Sequence, residues 1–496
     1  MIPAHKIPVV MCIAAAVLLA SCATDVEVQR PVQQRGWDDS VRAALEDAHQ
    51  NLQQTRDLPL RARQALWIAE TYLAMNAVAE AEHYTLIARN IIQESEEPLY
   101  PQTLHLIRLS YALERIDIAE QFLQSMLDSL TLSGDESLQG DYLIQLLDLV
   151  FSLEDPDADV FRRITDRVLF IGDPAIRSEV LRITIRHIWQ ESFEGDVTGI
   201  VQHAIAATAG IEDQVAQAAG FVHLSGLTGA LGRPVTGVDP GQLMRRGMSI
   251  WRGADLWSID RDTAAIAVRG SMLGRSTGIL DEILLGIPGN NARVEILTEQ
   301  AYWFSRFQLD DIAAEILDYA DRHAEETDSG ELEAAGLAKI ALGRYLAGDS
   351  QQAGQLLPAA EAAADRYWHT DANAAYAAAR IYAETGQVNR IAEVAGDQRD
   401  PLDQVRVYLR LYNELSPEAL QQGSSLILRE VPFLLRRIGW SRSNQLPELV
   451  QQAVIRAAER GDTAFIAELR AIRPPQELEV FIDARYAHAL LVRLQL

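Results

Sequence analysis

Several groups of side chains in this chain have types and spacings that could do chemistry. Gly274-Arg275-Ser276-Thr277-Gly278 has the Gly-x-Ser-x-Gly spacing that can hold a serine hydroxyl on a tight strand-to-helix turn for nucleophilic attack. Asp281, His369 and His488 could be named as its acid and base. That arrangement needs a strand before the serine, and Thr263 to Leu273 reads as helix, so a glycine-flanked turn between helices is the expected role. Glu46-x-x-His49 and Glu80-x-x-His83 have the Glu-x-x-His spacing of carboxylate-bridged metal sites in helical bundles. Such a site also needs two further inward carboxylates, and both histidines flank their apolar stripes, so surface positions are expected. His187 and Glu191 stand four apart without completing His-Glu-x-x-His, and no remaining group has zinc-ligand spacing.

Arg245, Arg246, Trp251, Arg252 and Trp257 form the densest arginine–tryptophan cluster in the chain. These residue types are common at binding hot spots, and a tryptophan face also stacks on sugars or cations. They are the candidate binding residues, against a plainer reading in which the tryptophans fill core gaps and the arginines snorkel to Asp255 or Asp260. Arg429, Arg436, Arg437 and Arg442 beside Trp440 form a second, weaker candidate. Lysine occurs only at Lys6 and Lys339. The phosphate-binding loop that ends in lysine is therefore missing, as is a Ser-x-x-Lys dyad. Lys339 lies in an Ala/Leu helical pattern and reads as a solvated stem.

The elements that must position these residues read almost throughout as helix. Val41, Ala44, Leu45, Ala48 and Leu52 recur at helical spacing, as do Val405, Tyr408, Leu409 and Tyr412. Period-two alternation with strand turns is missing. Asp173-Pro174, Asp239-Pro240, Asp400-Pro401 and Ser416-Pro417 each place a capping side chain before a proline at the first helical position. Gly134, Gly195, Gly348, Gly386 and Gly461 mark stops. Short connections between helices of moderate length predict antiparallel hairpins. Between Gly195 and Gly289 lie 16 of the 30 glycines, which predicts close helix contacts, broken helices or a long loop near 232–240.

The hairpins repeat. Ala69, Asn76, Ala81 and Ala88 stand at offsets 0, 7, 12 and 19, and Ala301, Gln308, Ala313 and Ala320 match them. Ala341, Gly348, Ala353 and Ala360 do so again, and Ala379, Tyr382 and Gly386 begin a further copy. This pattern resembles the tetratricopeptide repeat, over residues 60–92 and 296–390. The family's Trp, Leu-Gly pair and closing Pro are mostly missing, and the spacings of 40 (301 to 341) and 38 (341 to 379) exceed its usual period of about 34. The resemblance implies an all-α solenoid of stacked antiparallel hairpins with a concave face that grips a protein or peptide.

At the N-terminus, Lys6 precedes an apolar run from Ile7 to Ala20, the grammar of a secretory leader. Leu19-Ala20-Ser21-Cys22 resembles a bacterial lipobox. That resemblance implies acylation of Cys22 (palmitate among the chains), loss of Cys12 with the leader, and an anchor in the cell envelope. Ala23 in place of Asp implies the outer membrane, facing the periplasm. Expected segments are a leader at 1–21, a polar tether at 22–36, a helical arm at 37–194, an irregular glycine-rich centre at 195–295 and a second arm at 296–496. The net charge of −26 disfavours a nucleic-acid partner, and 48% hydrophobic residues exclude a disordered chain. The expectation is an envelope-anchored scaffold for a protein partner, with no cofactor and no enzymatic role. The alternative is a periplasmic or surface lipoprotein that binds a small ligand or glycan, which would require Trp251 and Trp257 to face solvent. A serine hydrolase built on Ser276 is the remote third reading.

Overall fold

The computed structural model describes residues 39–153, 158–191, 197–255, 259–326, 330–364, 372–439, 446–472 and 474–495. The leader, the tether and Cys22 lie outside the described residues, as do Gly195, Trp257, His369, Trp440 and Arg442. Among the described residues there are twenty-four helices and no strand. In chain order they begin with α1 (Asp39–Gln54), α2 (Leu58–Ala74), α3 (Val78–Glu94), α4 (Tyr100–Ala112), α5 (Ile116–Leu132) and α6 (Glu136–Phe151). Next come α7 (Ala158–Val168), α8 (Pro174–Gln190), α9 (Thr198–Ala209), α10 (Gln214–Ala230), α11 (Pro240–Gly253) and α12 (Arg261–Leu273). Then follow α13 (Thr277–Gly286), α14 (Asn290–Arg306), α15 (Asp310–Glu325), α16 (Gly330–Leu346), α17 (Ser350–Ala364) and α18 (Ala372–Glu384). The chain finishes with α19 (Val388–Gly396), α20 (Pro401–Glu414), α21 (Pro417–Ile438), α22 (Leu446–Glu459), α23 (Thr463–Ala471) and α24 (Gln476–Gln495).

The predicted start signals work as caps. Asp173, Asp239, Asp400 and Ser416 each accept a backbone N–H from the first turn of α8, α11, α20 and α21. The hairpin turns share one geometry. Asn76, Glu114, Arg275, Gln308, Gly348, Gly386 and Gly461 all have positive φ, between +50° and +84°. In each turn the following N–H reaches back to a carbonyl five residues earlier, at 2.7–3.0 Å, from Ala77 to Tyr72 and from Asp462 to Ala457. This is the bond that closes a helix over a left-handed residue. Seven of the hairpins therefore end their first helix alike. The copies at Ile107, Val268 and Val454, all buried, escape sequence detection because larger apolar residues replace the alanine.

Each even helix packs on the odd helix that follows it, and successive even helices touch from α2 to α24. The chain ends then meet: α24 packs against both α1 and α2. The twelfth hairpin is thus α24 with α1, built from the two ends of the chain, and the stack closes into a ring. Trp67 of α2 meets Phe481 of α24 edge to face, with ring centroids 5.2 Å apart. Asn51 donates to Asp483 at 3.0 Å, and Arg485 pairs with Glu70 at 3.0 Å. The core falls into two clusters that meet at α16 and again at the α2–α24 seam, with Val480, Ala484 and Ala487 in one and Phe481 and Ile482 in the other. Sequence patterning predicted a curved stack; it did not predict closure.

The glycines of the centre serve close approach. A Cβ on Gly270 would stand 2.4 Å from the Cα of His223, and one on Gly226 would stand 2.3 Å from the carbonyl of Gly270. Helices α10 and α12 are in backbone contact there, and Leu231 to Asp239 forms a longer connection between α10 and α11.

Candidate functional site: the inner wall

Even helices adjoin their even neighbours all round the ring, whereas contact between odd helices is confined to a few pairs such as α5–α7 and α21–α23. The even helices therefore occupy the shorter, inner circumference. A single cavity of about 320 Å³ touches α12, α14, α16, α18 and α20 together, as only a concave wall allows. Twelve axes about 9 Å apart on a circle enclose a channel on the order of 25 Å across.

The cavity combines apolar and charged groups: Tyr302, Leu342, Leu346 and Tyr376 beside Arg261, Glu295, Glu299, Lys339 and Arg410. Arg261 bridges Glu295 at 3.3 Å and Glu299 at 3.2 Å, tying α12 to α14. Lys339 of α16 pairs with Glu295 at 3.3 Å, and its side chain is only 15% exposed. The expectation of a solvated stem is thus corrected: the lysine lines the cavity, because its position in the repeat faces inward. Arg410 stacks over the Tyr376 ring at 3.9 Å and donates to Asn373 at 2.9 Å. Tyr376 donates to Glu414 at 2.5 Å, and Arg380 bonds both. Burial pushes the Tyr376 hydroxyl pKa up, so the ring stays neutral.

Polar links of this kind run from helix to helix around the inner wall. Glu70 accepts from Arg108 at 3.2 Å as well as from Arg485. His187 donates to Asp148 at 2.7 Å, Arg269 donates to Gln300 at 2.9 Å, and Arg456 bonds the carbonyl of Asn413. Arg108, Arg186, Arg269, Arg380 and Arg485 all stand on even helices, which carry as many cations as carboxylates although the chain as a whole is acidic. No local motif announces this belt; its residues are about forty apart and only the repeat register aligns them.

The sequence candidates sit elsewhere. Trp251 is 1% exposed and fills the core, so it offers no face to a ligand, a correction to its reading as a binding residue. The arginines of α11 stand on the outer layer and are exposed, but they meet partners other than the Asp255 or Asp260 that the plainer reading named. Arg245 pairs with Asp239 at 3.6 Å, Arg246 lies 4.3 Å over the Phe221 ring, and Arg252 forks onto Glu282 at 2.6 and 2.8 Å. Arg436 pairs with Glu468 and Arg429 with Glu430.

Ser276 occupies the repeated hairpin turn. Its N–H donates to the Ser271 carbonyl and its hydroxyl to Gly274 at 3.1 Å, with helix on both sides. The strand-to-helix elbow that would raise its nucleophilicity is not formed, which corrects the hydrolase reading. The two Glu-x-x-His pairs are brought together on α1 and α3, around stacked Tyr72 and Tyr84 with centroids 5.5 Å apart. His49 is buried, not at the surface, with Nδ1 2.8 Å from the Tyr84 hydroxyl and Nε2 2.9 Å from Gln53. Both its nitrogens are used, and no set of three metal-ligating side chains occurs among the described residues.

No protein-family model matches the chain. No curated protein matches it either. Solved structures do. One is the human IFIT1 dimer with m7Gppp-AAAA, 12% identical, covering 85% of this chain and 96% of that one at a TM-score of 0.20. Another is a circular tandem repeat protein with novel repeat topology and enhanced subunit contact surfaces, 14% identical, covering 92% and 96% at a TM-score of 0.18. Scores that low carry no functional argument. The shared left-handed turns and the closed stacking of hairpins make the chain a tetratricopeptide-like helical repeat protein.

Proposed function

We propose that this protein is a scaffold whose inner wall holds a segment of a protein partner, and that Cys22 tethers it by lipid to the outer membrane. The observation that carries the reading is the cavity shared by α12 to α20, where tyrosine and leucine side chains stand among paired charges. An amphipathic wall of this kind suits a polypeptide, which brings apolar side chains and hydrogen-bonding backbone together. The cavity lining includes neither histidine nor cysteine, and its one lysine is held by Glu295.

Photo-crosslinking from Tyr302, inside, against Arg245, outside, tests the partner. One reproducible protein adduct from position 302 alone is expected. A glycan, a small metabolite or RNA recovered in its place would replace this reading. The tether has its own test. Cys22→Ser should leave the precursor unprocessed and unacylated, and mass spectrometry of the mature N-terminus should show three acyl chains on Cys22. A mature chain starting elsewhere ends the anchor proposal without touching the scaffold.

A further inference from the structure

The inner wall between α8, α10 and α12 gathers three arginines and a histidine with few acceptors among them. Arg182 is buried, and its guanidinium reaches only the Ser178 carbonyl at 3.3 Å and His223 Nδ1 at 3.2 Å. A guanidinium can only donate, so His223 Nδ1 accepts and the imidazole proton sits on Nε2. His223 is 5% exposed and that Nε2 has no partner. Arg186, one turn beyond Arg182, leaves its Nε without a partner too. Arg269 enters from α12, where Gly270 allows backbone contact with His223, and its one hydrogen bond is to neutral Gln300.

Carboxylates do not balance these charges. Asp148 stands 3.9 Å from Arg186 but is engaged by His187 at 2.7 Å, and Glu299 is held by Arg261. Glu179 is exposed and makes no ion pair with Arg182. Burial lowers the pKa of both Arg182 and Arg269 to about 10, which leaves them charged at neutral pH. Burial and the three neighbouring arginines push His223 well down, so it stays neutral. Buried charge is ordinarily paired, and a buried donor without an acceptor costs free energy.

We propose that Arg182, Arg186, His223 and Arg269 form an oxyanion site, taking a carboxylate or phosphate group that enters from the channel. Arg186 and Arg269 are partly exposed and form its mouth; Arg182 and His223 form its floor. The site stands on these residues alone and holds whether or not the inner wall binds a protein.

The test uses the full chain with inorganic phosphate and, separately, acetate at millimolar concentration. The readouts are thermal unfolding and the His223 ring resonances. One or both anions should raise the melting temperature and shift the Nε2 signal. Arg182→Met and Arg269→Met should weaken the response by about tenfold or more, the loss expected for one charge-assisted hydrogen bond. Anion-free Arg182→Met should be at least as stable as the parent, because an unpaired buried charge has gone. Response to phosphate alone identifies a phosphorylated ligand, and response to acetate alone a carboxylate. If Arg182→Met does not fold, Arg186→Met carries the same comparison. No response to either anion overturns the site, as does a response that survives the substitutions. Destabilised Arg182→Met in a protein blind to anions would make the arginine a structural group only.

Discussion

At the residue scale, glycine is used in two opposite ways, and substitution separates them. Gly270 lies where a methyl would collide with the His223 backbone, whereas Gly253, at the end of α11, has nothing within 4 Å of its missing Cβ. Gly270→Ala should destabilise by about 1–3 kcal/mol through overpacking, and Gly253→Ala should be neutral or stabilise by up to about 1 kcal/mol. Urea unfolding midpoints check both, and equal effects would contradict the assigned contact. Neither role is visible in the sequence, where both residues are simply glycines in helical context. Trp251 carries the same lesson. An arginine–tryptophan cluster reads alike whether its ring faces solvent or core, and only the packing of α11 decides that it is buried.

At the scale of elements, the unit is a hairpin whose first helix ends on a left-handed residue. Glycine takes that conformation freely, while Glu114, Arg275 and Gln308 adopt it at a cost of about 1 kcal/mol each. Glu114→Gly should therefore raise stability by up to about 1 kcal/mol, and Gly348→Ala should lower it by a similar amount. Chemical denaturation of the two variants checks the sign, and opposite signs are the signature of a shared turn. The repeat was legible where small residues mark it, at Ala69, Ala301 and Ala341. It was hidden at Ile107, Val268 and Val454, because a larger side chain is accommodated by a slightly wider helix pair while the turn persists.

At the scale of the whole molecule, closure makes the two chain ends one structural unit, and its seam carries buried titratable groups. His105 of α4, near Glu70, and His488 of α24 both have pKa values lowered to about 4, chiefly by burial. Each binds fewer protons folded than unfolded between pH 4 and 6.5, so stability is lost as pH falls through that window. For His105 the full loss is on the order of 3 kcal/mol. Asp483 acts the other way: burial raises its pKa to about 6 against the attraction of Arg470, so its ionisation costs stability as pH rises from about 4 to 6. With two histidines against one aspartate, the ring should weaken from pH 6.5 down to 4. His105→Phe should flatten that dependence and Asp483→Asn should steepen it, as read by unfolding free energy against pH. A flat profile in the parent would contradict the neutral buried histidines.

Local physics settles what one segment decides alone. Capping aspartates before proline start helices, small residues at fixed offsets let hairpins close, and the absence of alternation rules out sheet; all of this is written within a few turns of chain. The meeting of Trp67 with Phe481, the inward face of Lys339 and the convergence of Arg182, His223 and Arg269 are not written there. Each depends on small rotations per hairpin that accumulate over twelve units, and on which side of every helix ends up on the shorter circumference. Those are sums over the whole ring, so only the folded chain determines them.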